Sequence, residues 1–276
     1  MFPTEVAMMI KIHIFHTGKV RVDRAVPYKE RNPLAVTGFF RSDDKKIELP
    51  VSCYLIEHPK GNILIDSGWH SKYVTEKPHR FFGLLDRIST PLIKDGESID
   101  CQLAGLGMTP KDIDYVFLSH LDFDHTSGLS LLLGAKSFQA AEEEIADSRR
   151  YFFRYVKKDW ADVNLRPFRY KTTDVGPVGK SYDVFGDGSV LLVNTPGHSH
   201  GLFSVVIRRN EKYVVLAGDT AYTQKSIQEK RIPGFTVSTE LAEKSLEWIC
   251  KCAADDNCLL VAANHDPAVQ PQTIEI

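Results

Sequence analysis

Ser119-His120-Leu121-Asp122-Phe123-Asp124-His125 is the stretch that decides how the chain is read. Four groups able to bind a metal, His120, Asp122, Asp124 and His125, fall within six residues. The apolar run Tyr115 to Leu118 leads into them and lacks the polar alternation of a half-exposed strand, so it reads as a buried one. Gly128 and the apolar Leu129 to Leu133 follow and read as a helix. The four groups therefore sit where a strand ends and a helix begins, which is where open α/β sheets place their chemistry.

Composition bounds what surrounds this turn. The chain has 276 residues, 43% hydrophobic and 25% charged, enough for one large core without disulfide staples. A formal net charge of -2 implies no large basic surface, which argues against a nucleic-acid partner. Five cysteines without framework spacing are expected to stay reduced in a cytoplasmic protein. Met1 to Ile10 carries Glu5 and no basic start, so it does not read as a signal peptide. No run approaches the roughly 20 apolar residues of a membrane span.

Upstream of the turn, Lys11 to Thr17 reads as a strand and Val20 to Lys46 as a long polar loop containing Phe39-Phe40. That aromatic pair reads as a substrate wall or as a loop anchor. Val51 to Glu57 and Asn62 to Asp66 read as a hairpin around Pro59-Lys60-Gly61. Ile99 to Leu106 reads as a short helix, and Thr109-Pro110 as the start of another. Downstream, Gln139 to Arg150 reads as an amphipathic helix with Glu142 to Glu144 favoured by its dipole. The aromatic and basic segment 151–180 has no clean period; it reads as an inserted cap, or as an ordinary helix and edge strand. Val190 to Asn194, Ser204 to Arg208, Tyr213 to Ala217 and Leu259 to Ala262 read as strands. Ser238 to Ala253 reads as a helix burying Ala242, Ser245, Leu246, Ile249, Cys250 and Ala253.

Asp66, the His120 cluster, His198, Asp219 and His265 each follow the end of an expected strand. If those ends share one edge of the sheets, the side chains converge. On these residues the chain resembles the metallo-β-lactamase superfamily, and within it the N-acyl homoserine lactonase-type hydrolases. The family's turn reads His-x-His-x-Asp-His, against His120-Leu-Asp122-Phe-Asp124-His125 here. Leu64-Ile-Asp66-Ser-Gly68, Thr195-Pro-Gly-His198, Gly218-Asp219 and Asn264-His265-Asp266 match the remaining motifs in order. The resemblance implies one domain over residues 1–276, folded as a four-layer αββα sandwich of two mixed sheets with helices outside.

It also implies a site. His120, Asp122 and His198 would hold one divalent ion, Asp124, His125 and His265 a second, and Asp219 would bridge them. A water between the ions would become the nucleophile, and Asp124 would pass a proton to the leaving group. Tyr222 stands where lactonase-type members aim a tyrosine at the substrate carbonyl; packing at a strand end is its other reading. Asp66 would orient a ligand histidine or the turn itself. The expected substrate is a small ester, first a lactone. A thioesterase of the glyoxalase II type, a phosphodiesterase and a di-iron redox or sensor protein are the alternatives. A homodimer is compatible with all of them.

Asp122 departs from the family, which has histidine there. An added carboxylate would favour a harder ion, iron or manganese, over the family's zinc, or would leave one position weakly bound. His200 reads as a pocket residue or a surface one. His13, His16, His70 and His79 lack ligand spacing, as does the Cys250, Cys252, Cys258 run.

Overall fold

The computed structural model describes residues 9–77 and 84–276. The strands are β1 (Lys11–Asp23), β2 (Lys46–His58), β3 (Gly61–Ile65), β4 (Ser89–Leu92), β5 (Tyr115–Leu118), β6 (Phe138–Ala141) and β7 (Leu165–Phe168), followed by β8 (Lys171–Thr172), β9 (Lys180–Asp183), β10 (Val190–Asn194), β11 (Phe203–Arg209), β12 (Lys212–Leu216), β13 (Cys258–Ala262) and β14 (Gln272–Glu275). The α-helices are α1 (Leu84–Ile88), α2 (Ile99–Gly105), α3 (Phe123–Thr126), α4 (Glu142–Arg150), α5 (Gln224–Gln228) and α6 (Thr239–Ala253).

Two mixed sheets form, ordered β14-β1-β2-β3-β5-β6-β7, with β4 also on β1, and β13-β12-β11-β10-β9-β8. Side chains alternate between faces along each strand. Ile56, Ile63, Ile65 and Phe117 point inward to meet Leu192, Phe203, Val205, Val214 and Leu216 of the second sheet. Their neighbours Leu55, Leu64, Val116 and Leu118 point outward onto Ile99 and Leu103 of α2 and onto Leu129 and Leu132. On the far side Val193, Val206 and Val215 meet Ala242, Leu246 and Ile249 of α6. This is the expected four-layer αββα sandwich. It explains why Tyr115 to Leu118 shows no polar alternation: β5 lies between parallel neighbours β3 and β6 and is covered on both faces.

Several local expectations change. β1 runs on through Asp23 rather than yielding to a loop at Val20, because a register shift after His16 carries Lys19 to Asp23 onto β2. Gly18, at φ +84°, makes that bend, and a Cβ there would meet the Leu92 carbonyl oxygen at 2.6 Å. The expected helix at Gln139 opens as strand β6, and α4 begins only at Glu142. Leu129–Leu132 and Pro110–Asp112 are 3-10 turns rather than α-helices, the latter closed by a capping box between Thr109 and Asp112. On α6, Cys252 is buried while Cys250 is half-buried and Ala253 exposed. The 151–180 segment divides. Lys157–Trp160 is a 3-10 turn, Leu165–Phe168 an edge strand parallel to β6, and Lys171–Thr172 pairs with β9. Phe40 is fully exposed at φ +56°, and the Phe39 ring lies under Arg87. His79 lies outside the described residues.

Candidate metal centre

The strands that feed the site point one way. β3 and β5 are parallel, as are β12 and β13, and β10 shares their direction because it is antiparallel to β11, which is antiparallel to β12. Their carboxyl ends open on one edge, so Asp66, the His120 turn, His198, Asp219 and His265 meet there although 199 positions separate the outermost two. Asp66, His120, His125, His198, Asp219 and His265 are buried, while Asp122 and Asp124 are 19% and 15% exposed at their side chains. The Thr195-Pro196-Gly197-His198 loop is pressed onto α6: a Cβ at Gly197, φ +144°, would lie 2.4 Å from the Ala242 backbone.

Four imidazoles are held the same way. His265 Nδ1 lies 2.7 Å from the Pro50 carbonyl oxygen and His198 Nδ1 2.8 Å from that of Phe235. A carbonyl only accepts, so in each ring Nδ1 carries the proton and Nε2 presents a lone pair. His125 Nδ1 lies 2.8 Å from Asp66 Oδ2. Ser119 Oγ donates to Asp66 Oδ2 at 2.7 Å, which leaves it to accept from His120 Nδ1 at 3.1 Å. Asp66 also accepts the Ser119 amide at 2.7 Å, so it orients both a histidine and the turn.

The four Nε2 atoms converge on Asp219. Its Oδ1 lies 3.2 Å from His265 Nε2 and 3.4 Å from His125 Nε2, and its Oδ2 lies 3.7 Å from His120 Nε2 and from His198 Nε2. Two donors each about 2.0–2.2 Å from a tetrahedral ion lie about 3.4 Å apart, so these spacings suit ligation. One set is His120, His198 and Asp219; the other is Asp124, His125 and His265; in each, the donor atoms lie within 4.8 Å of one another. The buried Nε2 atoms of His120 and His125 have no hydrogen-bond partner among the described residues. A buried imidazole nitrogen left without a partner is costly, and a cation removes that cost.

The electrostatics separate the two sets. Burial opposes charge on His125 and His265, but the carboxylates around them overcome it and raise the pKa of both, that of His125 the more: Asp66, Asp219 and Asp124 for His125, Asp219 and Asp124 for His265. This pair draws positive charge. His198 is instead lowered, by burial and then by Arg154. Burial pushes the Tyr222 hydroxyl well above its ordinary range, and Asp219, Asp124 and Asp122 push the same way, so it stays protonated and able to donate. The Tyr222 ring stacks on His265 with centroids 4.8 Å apart.

Asp122 reaches the site, but not as a free ligand. Arg154 Nε donates to its Oδ1 and Nη2 to its Oδ2, both at 2.6 Å. The same Nη2 lies 2.8 Å from His198 Nε2, and Nη1 donates to the His198 carbonyl at 2.9 Å. Among the described residues, the His125, His265, Asp124 and Asp219 donors therefore have no guanidinium beside them, whereas one lies against His198 of the other set and against Asp122 beside it. Sequence reasoning missed Arg154; its one signal was an unmatched extra acid in the ligand turn. It also took Glu144 only as a dipole partner of the expected helix and gave Asp147 no role. Glu144 is fully buried, accepts the Leu121 amide at 3.0 Å and pairs with the Ser199 hydroxyl, tying the two ligand loops together. Asp147 accepts the His200 amide and faces His200 Nδ1, both at 2.8 Å, which fixes His200 as a loop anchor.

Together, a β-sandwich and a nest of oriented imidazoles around one shared carboxylate define a metal-binding αββα protein. A family model described as the metallo-beta-lactamase superfamily matches residues 47–264, and the chain belongs to that superfamily. It is 34% identical over 225 residues to the N-acyl homoserine lactonase AttM of Rhizobium radiobacter, covering 80% of this chain and 83% of that one. It is 30% identical over 204 residues to an N-acyl homoserine lactonase of Bacillus cereus, covering 73% and 75%. Among solved structures, an N-acyl homoserine lactone hydrolase with the product N-hexanoyl-L-homoserine at its catalytic metal centre superposes with a TM-score of 0.74 at 23% identity, covering 96% and 98%. No described helix is long and apolar enough to cross a membrane.

Proposed function

We propose that this chain is a metal-dependent hydrolase that opens a lactone ring, with N-acyl homoserine lactones as the substrate class. The carrying observation is the set of four imidazoles whose Nδ1 atoms are pinned by acceptors and whose Nε2 lone pairs face Asp219. The lactonase relatives at 34% identity choose the substrate among the reactions such a centre supports.

His125, His265, Asp124 and Asp219 would hold a divalent ion. Two imidazoles and two carboxylates suit zinc, with iron and manganese as competitors. The argument from Asp122 for a harder ion weakens, because Arg154 already matches that charge. When bound, such an ion polarises a carbonyl and brings the pKa of water to about 7. The rest falls to the chain. Tyr222, kept protonated, donates its hydroxyl hydrogen to the substrate carbonyl oxygen as negative charge builds there. Asp124, the most exposed of the site carboxylates but for Asp122, holds the proton released by the attacking water and delivers it to the ring oxygen as the acyl carbon–oxygen bond breaks. Water and lactone give one hydroxy acid, with no other reactant.

The test is hydrolysis of N-hexanoyl homoserine lactone by zinc-loaded protein, beside a thioester and an aryl phosphodiester. Lactone turnover dominant by at least tenfold, and lost with the metal in Asp219→Asn, is the expected result. Preference for the thioester or phosphodiester overturns the substrate, and near-normal turnover by Asp219→Asn overturns the site.

A further inference from the structure

We propose that the centre binds one divalent ion, on Asp124, His125, His265 and Asp219, and that the Arg154 guanidinium takes the place of the second. The inference rests on the reading of the imidazole cluster as a metal site and sharpens it.

Geometry makes the case. His198 Nδ1 is committed to the Phe235 carbonyl, so its Nε2 lone pair faces the site. Asp122 Oδ2 stands 3.0 Å from that Nε2. Two acceptors so close face each other only when a cation or a donor lies between them. Arg154 Nη2 is that group, at 2.6 Å from the oxygen and 2.8 Å from the nitrogen. Asp122 Oδ2 is also 3.4 Å from His120 Nε2, so the guanidinium borders the donors the first ion would need. An ion there would have to displace Nη2 from both acceptors and remain beside its charge.

The arrangement is built in rather than incidental. Arg154 binds Asp122 through two parallel hydrogen bonds, the strongest geometry open to this pair. A third bond, to the His198 carbonyl, fixes the plane of the guanidinium, and the Tyr155 ring lies under it at 5.2 Å. Tyr155 is buried in the core beneath the first sheet, so the position of its neighbour is set by packing. By contrast, among the described residues no guanidinium lies against His125 or His265 Nε2; His125 Nε2 has no hydrogen-bond partner, and His265 Nε2 has only the neutral Asn264 amide at 3.3 Å. The histidine-to-aspartate departure at 122 thus acquires a reason: it holds the arginine that replaces an ion.

Metal content decides the matter without reference to turnover. The chelator-stripped full chain is titrated with cobalt, following visible absorbance, and zinc per chain is measured after dialysis against trace zinc. One equivalent is expected in both. His198→Ala should keep that one zinc and His265→Ala should lose it, since only the latter belongs to the occupied set. Arg154→Met should bind a second equivalent; if it does not fold, as judged by circular dichroism, the two histidine variants carry the test. Two tightly held zinc ions in the unaltered chain, or loss of zinc on His198→Ala, overturns the proposal and leaves the metal reading standing. No zinc in the unaltered chain overturns both.

Discussion

Replacing Asp66 by Asn removes one charge from the centre without touching a proposed ligand. Asp66 sits at φ +62°, a conformation asparagine tolerates as well as aspartate, so the backbone has no reason to move. The carboxylate now accepts three hydrogen bonds, from the Ser119 amide, the Ser119 hydroxyl and His125 Nδ1, at 2.7, 2.7 and 2.8 Å. An amide has one acceptor oxygen. With that oxygen on the Ser119 amide, its NH2 group faces His125 Nδ1, and donor meets donor. The imidazole relieves this by moving its proton to Nε2, which consumes the lone pair aimed at Asp219. Loss of such a partner typically costs 10–100-fold in metal affinity, or about 1.4–2.8 kcal/mol. The assay is zinc competition against a chromogenic chelator at neutral pH, with circular dichroism as the control for folding. Zinc affinity within twofold of the unaltered chain would refute the account of how His125 is held.

Other expectations can be checked alongside. Tyr222→Phe should lower kcat by about 10–100-fold while zinc content stays unchanged, if its hydroxyl acts on the carbonyl oxygen; loss of zinc instead would make it a packing residue. Glu144→Ala leaves the Leu121 amide and the Ser199 hydroxyl without their shared acceptor and should cost about 2–4 kcal/mol of stability in urea unfolding. Gly201→Ala brings a Cβ within 2.3 Å of the Glu144 amide nitrogen, so it should destabilise by about 1–3 kcal/mol in urea unfolding while zinc retention is unchanged, since His198 lies outside the proposed ion-binding set. Arg41 holds buried Asp23 by two hydrogen bonds and bonds Glu30, whose carboxyl is thereby held below its ordinary 4.5. A depressed carboxyl pKa adds stability above the unfolded value and loses it as pH falls through the folded one. Stability should therefore drop on acidification below about pH 4.5, and Arg41→Met should flatten that drop while lowering the urea midpoint at pH 7.

The convergence of the candidate donors was legible because of where chemistry sits on a sheet. His120, Asp124 and His125 crowd one turn, and His198, Asp219 and His265 each follow an apolar run, so the pattern of strand ends announces them before any coordinates. The layered fold was legible for a related reason: continuous apolar runs such as Val116 to Leu118 and Val190 to Val193 need cover on both faces. Helix and strand boundaries were less so. Gln139 to Ala141 suits either period, and only pairing with β5 and β7 makes it a strand.

What the sequence determined by itself was the kind of centre: which side chains can donate, and that they gather at one sheet edge. Which of them are free to donate was decided by tertiary structure. Asp122 looks like a ligand in one dimension, because adjacency is all a motif records. Arg154, 32 residues on in a segment with no period, reaches it only because Tyr155 is packed into the core. An ion pair between distant residues leaves no local signature, since the free energy of pairing depends on burial and distance, and both come from folding.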